Sequence, residues 1–239
     1  MAKRIFVQSG LRRSGTHLFT NWLVQSVPEI FHRNNVTRPK DFQEGATGDG
    51  YRYYRGGLPI KPVKGLKDIV LAFEDKGRDE VAKVVGRIYA CDSTPVEFFY
   101  VVRSFPNVMA SRVKAAHRSK TFGKFCPVTP AIADIWHETA SMYLREQTVS
   151  CRVFLYDEFV KSRPYRDQCA RTLGIACVDV DMDRVAETSG GSSFTKTKMK
   201  GTAMPVHSRV DQLAEHGLEL PEWVKDHPSW ALSEKIFKN

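Results

Sequence analysis

The stretch RIFVQSGLRRSGTHLF, residues 4 to 19, constrains this chain more than any other: a short apolar run, a turn with Gly10 and Gly15, and a helical pattern behind it. Ile5 to Gln8 reads as a strand, and Leu18, Phe19, Trp22 and Leu23 repeat at helical spacing, predicting a helix from about Gly15 to Val27 with one buried face. A strand, a glycine-bearing turn and a helix start aim backbone N–H groups at one point, with the positive end of the helix dipole behind them. A phosphate-like anion is stabilised there. In the nucleotide-hydrolysing form of such a loop, GxxxxGK[ST], the lysine reaches the terminal phosphates and the hydroxyl holds magnesium. Here those two positions are Thr16 and His17, and the cations stand inside the loop as Arg12 and Arg13, before Ser14.

Beyond the loop, short β-branched and aromatic runs alternate with longer amphipathic segments, as βα units around a mostly parallel sheet do. Further strands are predicted at Asp68 to Phe73, Val96 to Val102 and Arg152 to Tyr156. Ser104 can cap a helix with Pro106 in its first turn and a stripe of Phe105, Val108, Met109 and Val113, and Thr129–Pro130 starts another through Ile132, Ile135, Trp136 and Tyr143. FVKSRPYRDQCARTLGI reads as one helix ending at Gly174. Ser208, Asp211 and Gly217 bracket a short helix, and Pro221 to Phe237 holds one or two more. Residues 44 to 57, EGATGDGYRYYRGG, show no periodicity and read as a flexible loop or lid. With 239 residues and 42% apolar content, the expected fold is one α/β domain over 1–239, three layers with a central, mostly parallel sheet between helices.

The 36 basic residues against 27 acidic ones give a formal charge of +9, so an anionic partner is expected. The basic residues are scattered, with no Lys/Arg run interleaved with aromatics, which favours a small polyanion over nucleic acid. Five cysteines without CxxC spacing read as reduced thiols, and the seven histidines lack metal-ligand spacing, so no metal is expected. No run of eighteen apolar residues occurs, and the start is too short in apolar residues for a secretory signal. A cytoplasmic location is the resulting expectation.

Arg13-Ser14-Gly15-Thr16 resembles the first motif of the sulfotransferases that use 3′-phosphoadenosine 5′-phosphosulfate: lysine or arginine, then Ser-Gly-Thr, between first strand and first helix. A second, independent motif agrees. In FFYVVRSFPNVMASRV a strand ends in Arg103, Pro106 lies in the turn, and Ser111 stands eight residues on along the next helix, the spacing at which that family holds the donor's 3′-phosphate. The resemblance implies that Arg12, Arg13 and the N–H groups of Ser14, Gly15, Thr16 and His17 hold the 5′-phosphosulfate, while Arg103 and Ser111 hold the 3′-phosphate. More loosely, VFLYDEF resembles the family's late strand, which implies Tyr156 at the adenine. SGGSSFTKTKMKG resembles a closing segment, which implies Lys200 and Gly201 near the nucleotide, with Arg209 a rival for the basic role.

Sulfuryl transfer to a hydroxyl needs a base for the acceptor's proton and donors for the departing phosphate. Many relatives place a histidine after the strand between the motifs and others a glutamate; this chain has DIVLAFEDK there and no histidine. Strand alternation sends Glu74 and Asp75 to opposite faces. Glu74 is the expected base, with Asp75 the alternative or the cap of a helix beginning near Asp79. Arg13 completes the expected catalytic set by stabilising the leaving phosphate. The function implied is sulfuryl transfer to an acceptor hydroxyl, a carbohydrate favoured but a lipid, phenol or peptide tyrosine left open. The rivals are a magnesium-dependent kinase and a non-catalytic nucleotide- or nucleic-acid-binding protein.

Overall fold

The computed structural model describes residues 4–34, 36, 51–55, 58–59, 68–88, 94–118, 120–145, 152–178 and 209–237. In chain order the elements are β1 (Arg4–Gly10), α1 (Thr16–Ser26), β2 (Glu29–Arg33), β3 (Tyr51–Arg55), β4 (Leu58–Pro59), β5 (Asp68–Glu74), α2 (Arg78–Ile88), β6 (Val96–Val102), α3 (Phe105–Arg118), α4 (Lys120–Phe125) and α5 (Pro130–Leu144). β7 (Arg152–Leu155), α6 (Tyr156–Lys161), α7 (Arg163–Thr172), α8 (Arg209–Glu215), α9 (Trp223–Asp226) and α10 (Pro228–Phe237) follow.

The described strands form one seven-stranded sheet in the order β4-β3-β2-β5-β1-β6-β7. β2, β5, β1, β6 and β7 run parallel, and β3 and β4 add an antiparallel edge. Alternation along each parallel strand feeds two cores. Phe6, Val70, Phe99, Val101 and Phe154 point to one face and pack under α1, α6 and α7. Ile5, Val7, Ile69, Leu71 and Phe73 point to the other, against α2, and beside them Tyr100, Val102, Val153 and Leu155 meet α3, α5, α9 and α10. This is the expected α/β domain of three layers.

Several expectations change in detail. The second half of the glycine- and tyrosine-rich segment is not loop: Tyr51–Arg55 is β3, paired antiparallel to β2 with Phe31 opposite Tyr53. Residues 44–50 and 56–57 lie outside the described residues. The single helix read from FVKSRPYRDQCARTLGI is two, because Ser162 breaks the run and caps α7, its side chain accepting from the Tyr165 N–H at 3.2 Å, with Pro164 in the first turn. Tyr156 opens α6 instead of ending β7. Thr129 precedes α5 in extended conformation but makes no side-chain cap. Ser104 does not cap α3 through its hydroxyl either; that oxygen accepts from the Asn107 side chain at 3.3 Å, and the Phe105 N–H donates to Ser233 Oγ of α10 at 3.0 Å.

β1 lies between β5 and β6: the crossover from β1 runs to β2 on one side, and the crossover from β5 passes β1 to reach β6 on the other. A crevice therefore opens at the carboxyl ends of these strands, the place where open α/β sheets take ligands. The loop after β1, Glu74 at the end of β5, Arg103 after β6 and Tyr156 after β7 all emerge at that edge.

Candidate anion site at the carboxyl edge of the sheet

The loop from Leu11 to Gly15 is held by its own polar groups. Ser14 is buried, its N–H donates to Leu11 O at 3.1 Å, and its hydroxyl donates to the same oxygen at 2.6 Å. Gln8, fully buried at the end of β1, donates to Thr16 O at 2.7 Å and accepts from Thr20 Oγ1 at 2.8 Å, which fixes the first turn of α1 to the strand. Gly15 has φ of 94°, and a Cβ placed there would lie 2.0 Å from Cδ2 of Tyr156. Only glycine meets both demands. Arg13 also adopts positive φ, 76°, a conformation uncommon for a side chain of its kind and held here by the turn on either side.

Two carboxylates buttress the loop from β5. Glu74 accepts from Arg12 Nε at 3.1 Å through Oε2 and from Thr16 Oγ1 at 3.2 Å through Oε1, and His17 Nε2 stands 3.7 Å from Oε1. Asp75 does not follow the strand's alternation, because its φ of 58° turns the chain out of the sheet. Both acids consequently face the loop. Asp75 accepts the Arg12 N–H at 2.9 Å and is gripped by Arg112 of α3 at 2.7 and 3.1 Å. Arg112 is fully buried and also donates to Arg12 O and Pro127 O. The expected cap of α2 is thus replaced by an ion pair that ties α3 to the loop. Arg12 continues the chain of contacts outward, donating to Phe125 O at 2.7 Å with its guanidinium 5.6 Å from the Phe125 ring.

Two more arginines, Arg103 and Arg209, gather around Tyr156, and Arg13 of the loop lies close enough to feel the charge of both. The Tyr156 ring is buried against Gly15, and the Arg103 guanidinium lies 5.0 Å from its centroid. Arg103 is buried, with Nε 4.0 Å from Asp157 Oδ1, close enough for an ion contact and too far for a hydrogen bond. Arg209, at the start of α8, is buried, and its N–H donates to Asn107 Oδ1 of α3 at 3.0 Å. Burial, together with the positive charges of Arg103 and Arg13, pushes Arg209 down to about 10. Burial likewise lowers Arg13, and Arg103 and Arg112 press in the same direction, opposed by Cys126 and Glu74. Arg13 Nε is buried with no hydrogen-bond partner among the described residues. Burial also raises the Tyr156 hydroxyl and the Cys126 thiol. Buried cations that repel one another are costly unless an anion joins them, so the cluster is built to receive negative charge.

The structure brings Arg12, Arg13, Ser14, Gly15, Thr16, His17, Glu74, Asp75, Arg103 and Tyr156 to one edge of the sheet. Ser111 shares the Asn107 face of α3, as its spacing predicts, but is buried, not exposed on a polar face; α8 packs on the same helix and bonds to Asn107. Tyr156 serves here as the wall behind Gly15. Lys200 and Gly201, with Ser193 and Phe194, lie outside the described residues. Sequence reading missed Arg112 and Asp157. Arg112 differs from a surface arginine only through partners distant along the chain, whereas Asp157, directly after Tyr156, carried a signal in its position at a strand end.

No protein-family model matches the chain, and no curated protein does. Among solved structures it is similar, distantly, to the sulfotransferase domain from the curacin biosynthetic pathway, over 92% of this chain and 99% of that one, with 12% identity and a TM-score of 0.47.

Proposed function

We propose that this chain is a sulfotransferase that takes its sulfuryl group from 3′-phosphoadenosine 5′-phosphosulfate and delivers it to a hydroxyl. The observation that carries this reading is the convergence of Arg13, Arg103 and Arg209 on a glycine loop whose metal-nucleotide lysine is replaced by Thr16. A donor with phosphates at both ends of its ribose meets two separate demands for anion: the loop with Arg13, and the Arg103–Ser111–Arg209 group beyond Tyr156. ATP lacks the second anion. The carboxylates that could hold magnesium are, moreover, already engaged, Glu74 by Arg12 and Asp75 by Arg112, which speaks against the kinase reading.

In this reading the loop N–H groups and Arg13 stabilise the charge that develops on the departing 5′-phosphate. The acceptor's proton leaves on the Glu74 side of the loop. A cluster of buried arginines also suits a nucleotide better than a nucleic-acid backbone, whose contacts spread over an exposed basic face. The test is transfer from donor labelled in its sulfuryl group to a panel of sugars, alcohols, phenols and tyrosyl peptides. A labelled organic sulfate, lost in Arg13→Ala, is the expected result; labelled magnesium-ATP phosphorylating the panel instead would overturn the reading.

A further inference from the structure

We infer that the proton acceptor is His17, on the donor loop itself, with Glu74 as the group that orients it and balances its charge. The inference rests on the sulfuryl-transfer reading and locates its proton step. It places the base on α1, where neither a histidine nor a glutamate at the end of β5 would put it. Glu74 lies at the end of β5, yet its side chain is only 9% exposed and its oxygens face Thr16 Oγ1, Arg12 Nε and His17 Nε2. An acceptor hydroxyl would have to enter among those groups to reach it. His17 is the most exposed member of the group, with 37% of its side chain exposed against 19% for Arg12.

Neutral imidazole carries its proton on one nitrogen and a lone pair on the other. Nε2 is turned towards Glu74 at 3.7 Å, beyond hydrogen-bond length; in the tautomer that acts as base the hydrogen is on Nε2, towards the carboxylate, and the lone pair on Nδ1. The other charges acting on this pair are the guanidinium of Arg12, fixed to Glu74 and Phe125 O, and, through its field, Arg13 in the loop, whose charged form Glu74 favours. Balanced, the step runs as follows: an acceptor oxygen lone pair forms the new S–O bond while its proton passes to Nδ1. The bond from sulfur to the bridging oxygen breaks, and that oxygen leaves with its electron pair on the 5′-phosphate. The imidazolium formed then faces the Glu74 carboxylate. A base built into the loop is needed only for a hydroxyl that is un-ionised at neutral pH, so the acceptor class is an alcohol or a weakly acidic phenol.

The test uses the whole chain, 3′-phosphoadenosine 5′-phosphosulfate, and two acceptors at about pH 8: 4-nitrophenol, already ionised there, and phenol, which is not. Wild type, His17→Gln and His17→Ala are compared, and binding of adenosine 3′,5′-bisphosphate by calorimetry reports whether each variant retains the folded donor site. The inference expects unchanged bisphosphate binding, a loss of kcat of about 100-fold or more with phenol, a loss of no more than a few fold with 4-nitrophenol, and partial rescue of His17→Ala by added imidazole. Equal losses with both acceptors, no loss with either, or a bisphosphate-binding wild type that transfers to neither phenol would overturn it. Failure of the wild type to bind bisphosphate would instead bring down the donor reading on which it stands.

Discussion

At the scale of single residues, the loop depends on side chains that are absent as much as on those present. Gly15 combines a left-handed backbone with the Tyr156 ring at a distance no Cβ can share. Gly15→Ala is expected to cost about 3 kcal/mol in thermal or denaturant unfolding, and replacing Tyr156 by a smaller residue should recover only the steric part, since the positive φ persists. Arg209 acts in the opposite sense. Its burial beside Arg103 is an electrostatic cost in the unliganded protein, so Arg209→Met should leave the unfolding temperature unchanged or raise it, while abolishing most of the rise that adenosine 3′,5′-bisphosphate produces in wild type. A lower unliganded melting temperature with an intact ligand-induced rise would contradict that role. The places of Gly15 at the helix start and of Arg103 at the strand end were legible in the sequence because local spacing fixes them. The Arg112–Asp75 pair was not, because its members are 37 residues apart and only the crossover from β5 to α3 brings them together.

At the scale of elements, α3 is the hinge between the two halves of the site. It follows Arg103, carries the buried Ser111, packs against α8, and reaches the loop through Arg112. Removing one member of a buried ion pair strands the other, so Arg112→Ala should destabilise the protein by about 3 to 5 kcal/mol and weaken bisphosphate binding as well; Asp75→Asn, which keeps acceptor capacity at its remaining oxygen, should cost less. Unfolding curves of the two variants check that order. Helices with a clear apolar stripe and the parallel strands were readable from periodicity. β2, β3 and β4 were not: they are short, β3 and β4 sit at the edge of the sheet, and TyrArgTyrTyrArg lies among glycines, where pairing with β2 rather than local preference makes the strand. The split of α6 from α7 turned on one capping serine inside an unbroken apolar pattern.

At the scale of the whole molecule, the strand order places β1 between β5 and β6, and that placement brings residues from four strand ends to one edge of the sheet. The charge of +9 takes on local meaning there, since arginines converge on the loop after β1 in place of a metal-nucleotide lysine. Composition suggests an anionic partner; the topology gathers the buried arginines at the edge where the proposed function puts it. The direct test of this account is calorimetric titration with adenosine 3′,5′-bisphosphate, 5′-AMP and magnesium-ATP, on wild type and on Arg103→Ala. The account predicts bisphosphate binding at least about 100-fold tighter than 5′-AMP, close to the worth of two charge-assisted hydrogen bonds, and the loss of that advantage in the variant. Preference for magnesium-ATP, or equal affinity for bisphosphate and 5′-AMP, would contradict it.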